Sequence, residues 1–157
     1  ILEELKNMWS GKVEMHIYGS GPLKNKLKRD LLKRGLYSIT KFFGKTPRNI
    51  LMKYLHTYDV MIMPSIYEAC PYTLIEANVL GVPVVAFDLE WSKEFILDMV
   101  NGIKVPFNDI KKFAESVIKL KEMGMKIRTS SHHYAKQRFG SNVVLSQLLK
   151  VYQEVVE

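Results

Sequence analysis

Apolar and polar positions along this chain fall into short runs that switch between a period near 3.6 and a period of 2, and the switching predicts alternating helices and strands. Leu2, Leu5, Met8 and Trp9 recur at helical spacing, so the chain opens inside a helix, Ile1 to Trp9. Val13 to Tyr18 reads as a strand, and Gly19-Ser20-Gly21-Pro22 as a tight turn into a helix with Pro22 at its first position. On that helix Leu23, Leu27 and Leu31 form the inward side. Lys24, Lys26, Lys28, Arg29, Lys33 and Arg34 form a basic outer one, and Gly35 ends it. Tyr37 to Phe43 is the next strand, closed by Gly44. Thr46-Pro47 then caps a helix that turns Ile50, Leu51, Tyr54, Leu55 and Tyr58 inward.

The middle of the chain repeats the pattern. Asp59 to Met63 is a short strand broken by Pro64 and Ser65, Tyr72 to Leu80 is a helix ended by Gly81-Val82-Pro83, and Pro83 to Phe87 is a second buried strand. Trp91 to Met99 predicts a short helix and Gly102 to Val105 a last strand. Asn108-Asp109 caps a helix through Ile110, Phe113, Val117 and Leu120 that Gly124 stops. Met125 to Phe139 is basic and amphipathic. Ser141 caps a final helix with Val144, Leu145, Leu148, Leu149 and Tyr152 on one side, expected to pack on the outside of the sheet. Strands alternating with helices predict an α/β fold, a Rossmann-like parallel sheet with helices on both faces, whose ligands bind at the carboxyl ends of the strands. Gly19, Gly44, Ser65, Glu68 and Asp88 each follow a strand, so one crevice can gather them.

Composition narrows the partners. At 157 residues, 47% hydrophobic and 25% charged, the chain reads as one globular domain, 1–157, with no apolar run of membrane-spanning length. The opening residues carry no secretory pattern and the single cysteine excludes an internal disulfide, both of which suit the cytoplasm. One Cys and four scattered His make no zinc ligand set. The net charge of +7 attracts anions: nucleic acid, an acidic membrane surface or phosphorylated small molecules. No interleaved basic and aromatic motif is present, so a nucleic-acid-binding module stands as the weaker alternative and no specific nucleic acid is expected.

Candidate chemistry concentrates between Met63 and Asp88. A strand-loop-helix unit aims unpaired amides and the positive end of the helix dipole at the mouth of a sheet, where anions bind. Pro71 needs no N–H in the first turn, which leaves the amides of Tyr72, Thr73 and Leu74 free to meet a phosphate. Glu68 in the loop and Glu76 in the second turn frame that start, and Glu76 can accept from the two hydroxyls of a ribose. Each feature alone has a plain structural role as well: dipole compensation for either carboxylate, turn geometry for Gly19 and Gly21, an exposed turn for Gly44-Lys45.

Glu68-Ala69-Cys70-Pro71-Tyr72-Thr73-Leu74-Ile75-Glu76-Ala77, followed by Gly81-Val82-Pro83-Val84-Val85, resembles the donor signature of the retaining glycosyltransferases of family 4, which have the GT-B fold. The order from Ile17-Tyr18-Gly19-Ser20-Gly21-Pro22 through Phe42-Phe43-Gly44 to Asn101-Gly102 matches as well. The resemblance implies transfer of a sugar from a nucleotide diphosphate donor to a glycan, lipid or small-molecule acceptor with retention. A nucleotide-sugar epimerase of the same fold, or a donor-site relic serving as an interaction domain, is the alternative.

Carried over, Glu68 is the catalytic candidate beside the donor sugar, Glu76 holds the ribose, and Cys70, Pro71, Tyr72, Thr73 and Leu74 cradle the diphosphate. Gly44 and Lys45 lie against the base, and Gly19, Ser20, Gly21, Ser65 and Tyr67 complete the donor contacts. No Asp-x-Asp pair for a divalent ion is present, so neither cofactor nor metal is expected, and helix dipole and basic side chains meet the phosphate charge as in the family. Three departures stand out: Ala69-Cys70 where the family often has glycine and an aromatic, Leu89-Glu90-Trp91 in place of a glycine pair, and the family's opening strand, which would precede Ile1 together with the acceptor-binding N-terminal domain. The chain is accordingly expected to be the donor half of a longer two-domain enzyme, to lack one central strand, to be inactive alone, and to work in the cytoplasm with peripheral association at the inner membrane surface.

Overall fold

The computed structural model describes the backbone of residues 1–156 and the side chains of residues 1–155. Its elements run α1 Leu2–Met8, β1 Met15–Tyr18, α2 Lys24–Lys33, β2 Thr40–Gly44, α3 Arg48–Leu55, β3 Met61–Met63, α4 Tyr72–Val79, β4 Val84–Phe87, α5 Glu90–Phe95, β5 Gly102–Val105, α6 Ile110–Met123, α7 Met125–Phe139 and α8 Ser141–Val156. A 3-10 turn, Tyr37–Ile39, occupies the first part of the strand expected at Tyr37. No helix among the described residues is long and apolar enough to cross a membrane.

All strand pairs are parallel: β3, β4 and β5 form one sheet in that order, β1 and β2 a second. The burial of β4 accounts for the layering, since Val84, Val85, Ala86 and Phe87 are all buried. Successive strand side chains point to opposite faces. Val84 and Ala86 therefore enter a core with Leu55, Leu74, Ala77 and Phe95, contributed by α3, α4 and α5. Val85 and Phe87 enter another with Phe113 and Leu120 of α6 and Ile127 of α7. An unbroken apolar run is what a strand covered by helices on both sides requires. A smaller cluster, Leu2, Leu31 and Leu36, packs on Met15 and Phe42 of the two-stranded sheet, while α1 also lies against α6 and so joins the two parts.

The sheets do not meet edge to edge. A groove of about 930 Å³ separates the open edges of β1 and β3. His16 Nδ1 lies 2.7 Å from the Tyr58 hydroxyl in a hydrogen bond that ties β1 to the segment entering β3. Burial, with a hydrogen bond to Tyr18, pushes the Tyr58 hydroxyl well above the usual tyrosine range.

That groove corrects the expectation for α2. Leu31 is buried, but Leu27, which lines the groove where no strand neighbours β1, is 41% exposed, and Leu23, ahead of the helix, is 69% exposed. The helix starts at Lys24 with Leu23 as its cap, and Pro22 sits in a turn closed by Lys24 N–H donating to Gly21 O at 3.1 Å. On α3 only Leu55 is fully buried. Ile50 and Tyr54 point outward, since one stripe of an eight-residue helix meets the core. Gly140, extended at φ −60° and ψ 140°, redirects the chain after α7. As a result the apolar side of α8 is exposed at Val144, Leu145, Leu148, Leu149 and Tyr152 rather than packed on the sheet.

Two buried amides fix α4 to the sheet. Asn78 Nδ2 donates to Val82 O at 3.0 Å and to Asn101 O at 3.1 Å, and Asn101 Nδ2 donates to Asn78 Oδ1 at 2.7 Å and Phe95 O at 2.9 Å. Asn101 Oδ1 accepts from Leu97 N–H at 2.7 Å. Both residues are 0% exposed, so every polar atom must be satisfied internally, and all are. At Gly102 an added Cβ would stand 2.2 Å from Val84 O, so the close approach of β5 to β4 demands glycine there. Asn78→Ala is expected to lower unfolding free energy by on the order of 3 kcal/mol, the cost of orphaning several buried polar groups at once. Urea unfolding checks this, and a loss under about 1 kcal/mol, ordinary for a surface change, would contradict it.

Candidate functional site

The residues that follow the strands share one end of the molecule. Gly19, just past β1, adopts φ +116° and donates its amide to Gly44 O at 2.7 Å, while Gly44 at the end of β2 has φ +71°. Side chains resist both conformations, and a Cβ at either would meet only open space. Backbone at both turns is therefore open to an approaching ligand. Ser20, Gly21 and Lys45 are exposed beside them.

The loop from β3 to α4 carries the rest. Ser65 and Glu68 are half-buried, Tyr67 is 80% exposed, Cys70 is an exposed free thiol, and Pro71 is buried as the N-cap of α4. Glu68 has no hydrogen-bond or ion-pair partner among the described residues, so both its oxygens remain acceptors.

The expectation of three open amides needs correction. Tyr72 N–H donates to Cys70 O at 2.9 Å and Leu74 N–H to Pro71 O at 2.9 Å, so both are engaged in the local turn. Pro71 lies one position earlier than a first helical residue, and this tightens the entry into α4. Thr73 N–H is left without a partner among the described residues, and Thr73 with Ser65 lines the end of the inter-sheet groove. Tyr72 is 71% exposed at the same turn. Leu74 is 0% exposed and its side chain belongs to the core, so it anchors the helix start rather than presenting a group at the mouth.

Glu76 is not open as expected either. Arg48, the first residue of α3, donates from Nε to Glu76 Oε1. The Glu76 side chain is 13% exposed. Periodicity gave no sign of this pair, because the two residues lie 28 positions apart. A cation just past the Gly44 turn was its one trace in the sequence. The pair joins the start of α3, just past the loop after β2, to α4. A separate hydrogen bond, from Gly19 N–H to Gly44 O, links the turns after β1 and β2. No hydrogen bond among the described residues ties Tyr67, Glu68 or the exposed Asp88 to the Gly19–Gly21 turn.

The start of α4 thus carries an open amide and the Arg48-held Glu76, with the unpartnered Glu68 in the loop before it and Lys45 three residues before Arg48. Amide, dipole and cations suit a phosphate; ionised carboxylates suit the hydroxyls of a sugar or ribose.

The sequence profile of the glycosyl transferases group 1 matches residues 1–138, and the chain belongs to that family. It is 30% identical to an exopolysaccharide phosphotransferase of Streptomyces coelicolor across 90% of this chain and 15% of that protein. With the poly(ribitol-phosphate) alpha-N-acetylglucosaminyltransferase of Staphylococcus aureus it shares 31% identity across 69% of this chain and 22% of that protein. Both matches therefore cover less than a quarter of the relative's length. In three dimensions it is similar to a mutant of S. aureus TarM in complex with Fondaparinux, alpha-GlcNAc-glycerol and UDP, with a TM-score of 0.85 and 23% identity over 96% of this chain and 31% of that one. The fold is that of the C-terminal domain of GT-B glycosyltransferases.

Cys70, the single cysteine, stands exposed beside the buried Pro71. One equivalent of an aromatic disulfide reagent is expected to react with the native chain without unfolding it. Reaction only after denaturant is added would contradict the loop geometry.

Proposed function

We propose that this chain is the donor-binding half of a longer, two-domain, retaining glycosyltransferase of family 4, which moves a sugar from a nucleotide diphosphate to an acceptor. The observation that carries the reading is the start of α4, where an open Thr73 amide lies in sequence between the unpartnered Glu68 and a Glu76 held by Arg48. TarM, similar in fold, was crystallised with UDP, and the aminosugar transferase of S. aureus is similar in sequence; both support a nucleotide-sugar donor.

In this reading the diphosphate lies against the Cys70–Leu74 turn, with Thr73 N–H and the basic side chains meeting its charge. Glu76 accepts from the ribose hydroxyls, and the base lies by Gly44 and Lys45. Gly19, Ser20, Gly21, Ser65 and Tyr67 border the remaining donor atoms. Sugar transfer passes through an oxocarbenium-like state in which negative charge gathers on the departing phosphate. A fixed amide and helix dipole bind that phosphate best as the bond breaks, and this is electrostatic catalysis. Glu68, with both oxygens unengaged, orients the sugar.

The groove between β1 and β3 supports the proposal that the chain is a half. Two open parallel edges with an apolar lining fit one further strand, supplied by a segment before Ile1 in the longer enzyme. The exposed Leu27 that lines the groove agrees with a strand seated there. The isolated chain is inactive in this account. Its net charge of +7 favours work on the cytoplasmic side, at the inner surface of an anionic membrane.

In the intact enzyme Glu68→Gln is expected to cut turnover and Glu76→Ala to raise the donor KM, each by about tenfold or more, as losing a charged hydrogen bond should. Steady-state kinetics with a nucleotide-sugar donor check both. Tolerance of both changes within about a factor of two, or sugar transfer by the isolated chain, would contradict the assignment.

A further inference from the structure

Arg48, one of the cations near the start of α4, also holds one of the carboxylates there. It opens α3 directly after the Gly44–Pro47 turn, and its Nε donates to Glu76 Oε1. Its remaining guanidinium nitrogens and Glu76 Oε2 have no partner among the described residues. Burial divides the pair unequally: the Arg48 side chain is 75% exposed and that of Glu76 13%. The cation stands at the rim with the carboxylate beneath it.

An ion pair so exposed on one side adds little to folding stability. Its effect falls on orientation. An ionised carboxylate offers two oxygens, and a cation fixed on the first leaves the second as the acceptor still open. A free glutamate would have to give up its rotamer freedom when a ligand binds; one already held does not, so its hydrogen bond counts more fully toward affinity.

We propose that Arg48 is a positioning residue that locks Glu76 so that Oε2 accepts from the ribose 2′-hydroxyl, and that the pair makes the site select ribonucleoside over deoxyribonucleoside diphosphates. This rests on the reading of Glu76 as the ribose acceptor. It goes further by assigning the selectivity to the interaction of two residues rather than to one. Because Arg48 reaches Glu76 from the turn after β2, the same contact fixes the distance between the base side of the crevice and the start of α4.

Calorimetric titration of the chain with UDP and with 2′-deoxy-UDP tests it, with melting temperatures measured alongside. The unsubstituted chain is expected to bind UDP about tenfold tighter than its deoxy analogue, the weight of one charge-assisted hydrogen bond. Glu76→Ala should bring that ratio near one. Arg48→Ala and Arg48→Gln should lower it to about threefold or less while leaving the melting temperature unchanged, and Arg48→Lys should restore most of it, since an ammonium can still pair with Oε1. A ratio that persists in both neutral Arg48 variants but vanishes in Glu76→Ala overturns the role of Arg48 and leaves the donor reading standing. No binding of UDP, or no preference for it in the unsubstituted chain, overturns both.

Discussion

Two asparagine side chains, closed to water, hold α4 against the sheet. Asn78 and Asn101 bond to each other and to the carbonyls around them, so α4, β4 and the start of β5 move as one body. Leu74 and Ala77, both 0% exposed, add the apolar half of the same attachment. A helix start can serve as a preorganised electrostatic site only if its axis cannot swing, because a dipole that must reorient during reaction loses much of its advantage. The polar pair fixes direction and the apolar contacts supply adhesion. Neither would do both.

The crevice built on that helix is asymmetric by design of its charges. One carboxylate, Glu76, is compensated by Arg48; the other, Glu68, has no partner among the described residues. A compensated carboxylate is a fixed acceptor, suited to hydroxyls that never change charge. In the proposed reading, the uncompensated one faces the positive charge that develops on a reacting sugar carbon. The same logic separates the two ends of the proposed donor site, phosphate against amide and cation, polyol against carboxylate. The inter-sheet groove leaves one edge of β1 and one edge of β3 unpaired, with Ser65 and Thr73 among its lining.

Much of the fold was legible in the sequence, and the reasons are local. Val84 to Phe87 is an apolar run with sharp boundaries, Gly102 to Val105 is apolar but for one lysine, and both strands lie where expected. Asp109 caps α6 by accepting from Lys112 N–H at 2.9 Å, as the Asn108-Asp109 pair foretold. Errors came where the outcome depends on a neighbour. Helical spacing marked Leu23, Leu27 and Leu31 as one face but could not say that part of it borders a groove. Likewise, Pro71 was placed in the first turn of α4 when it caps the helix, and a shift of one residue decided which amides stay open. The Arg48–Glu76 pair left no periodic trace, since it joins elements that meet only in the folded chain.

The central claim is that the start of α4 receives a diphosphate. Titrating the isotope-labelled chain with UDP, and in parallel with uridine, while following backbone amide shifts by NMR tests this most directly. The account predicts a saturable shift of the Thr73 amide with UDP that uridine does not produce, alongside smaller changes at Gly44 and Lys45 with both ligands. A Thr73 amide that stays unmoved while UDP saturates other positions would contradict it.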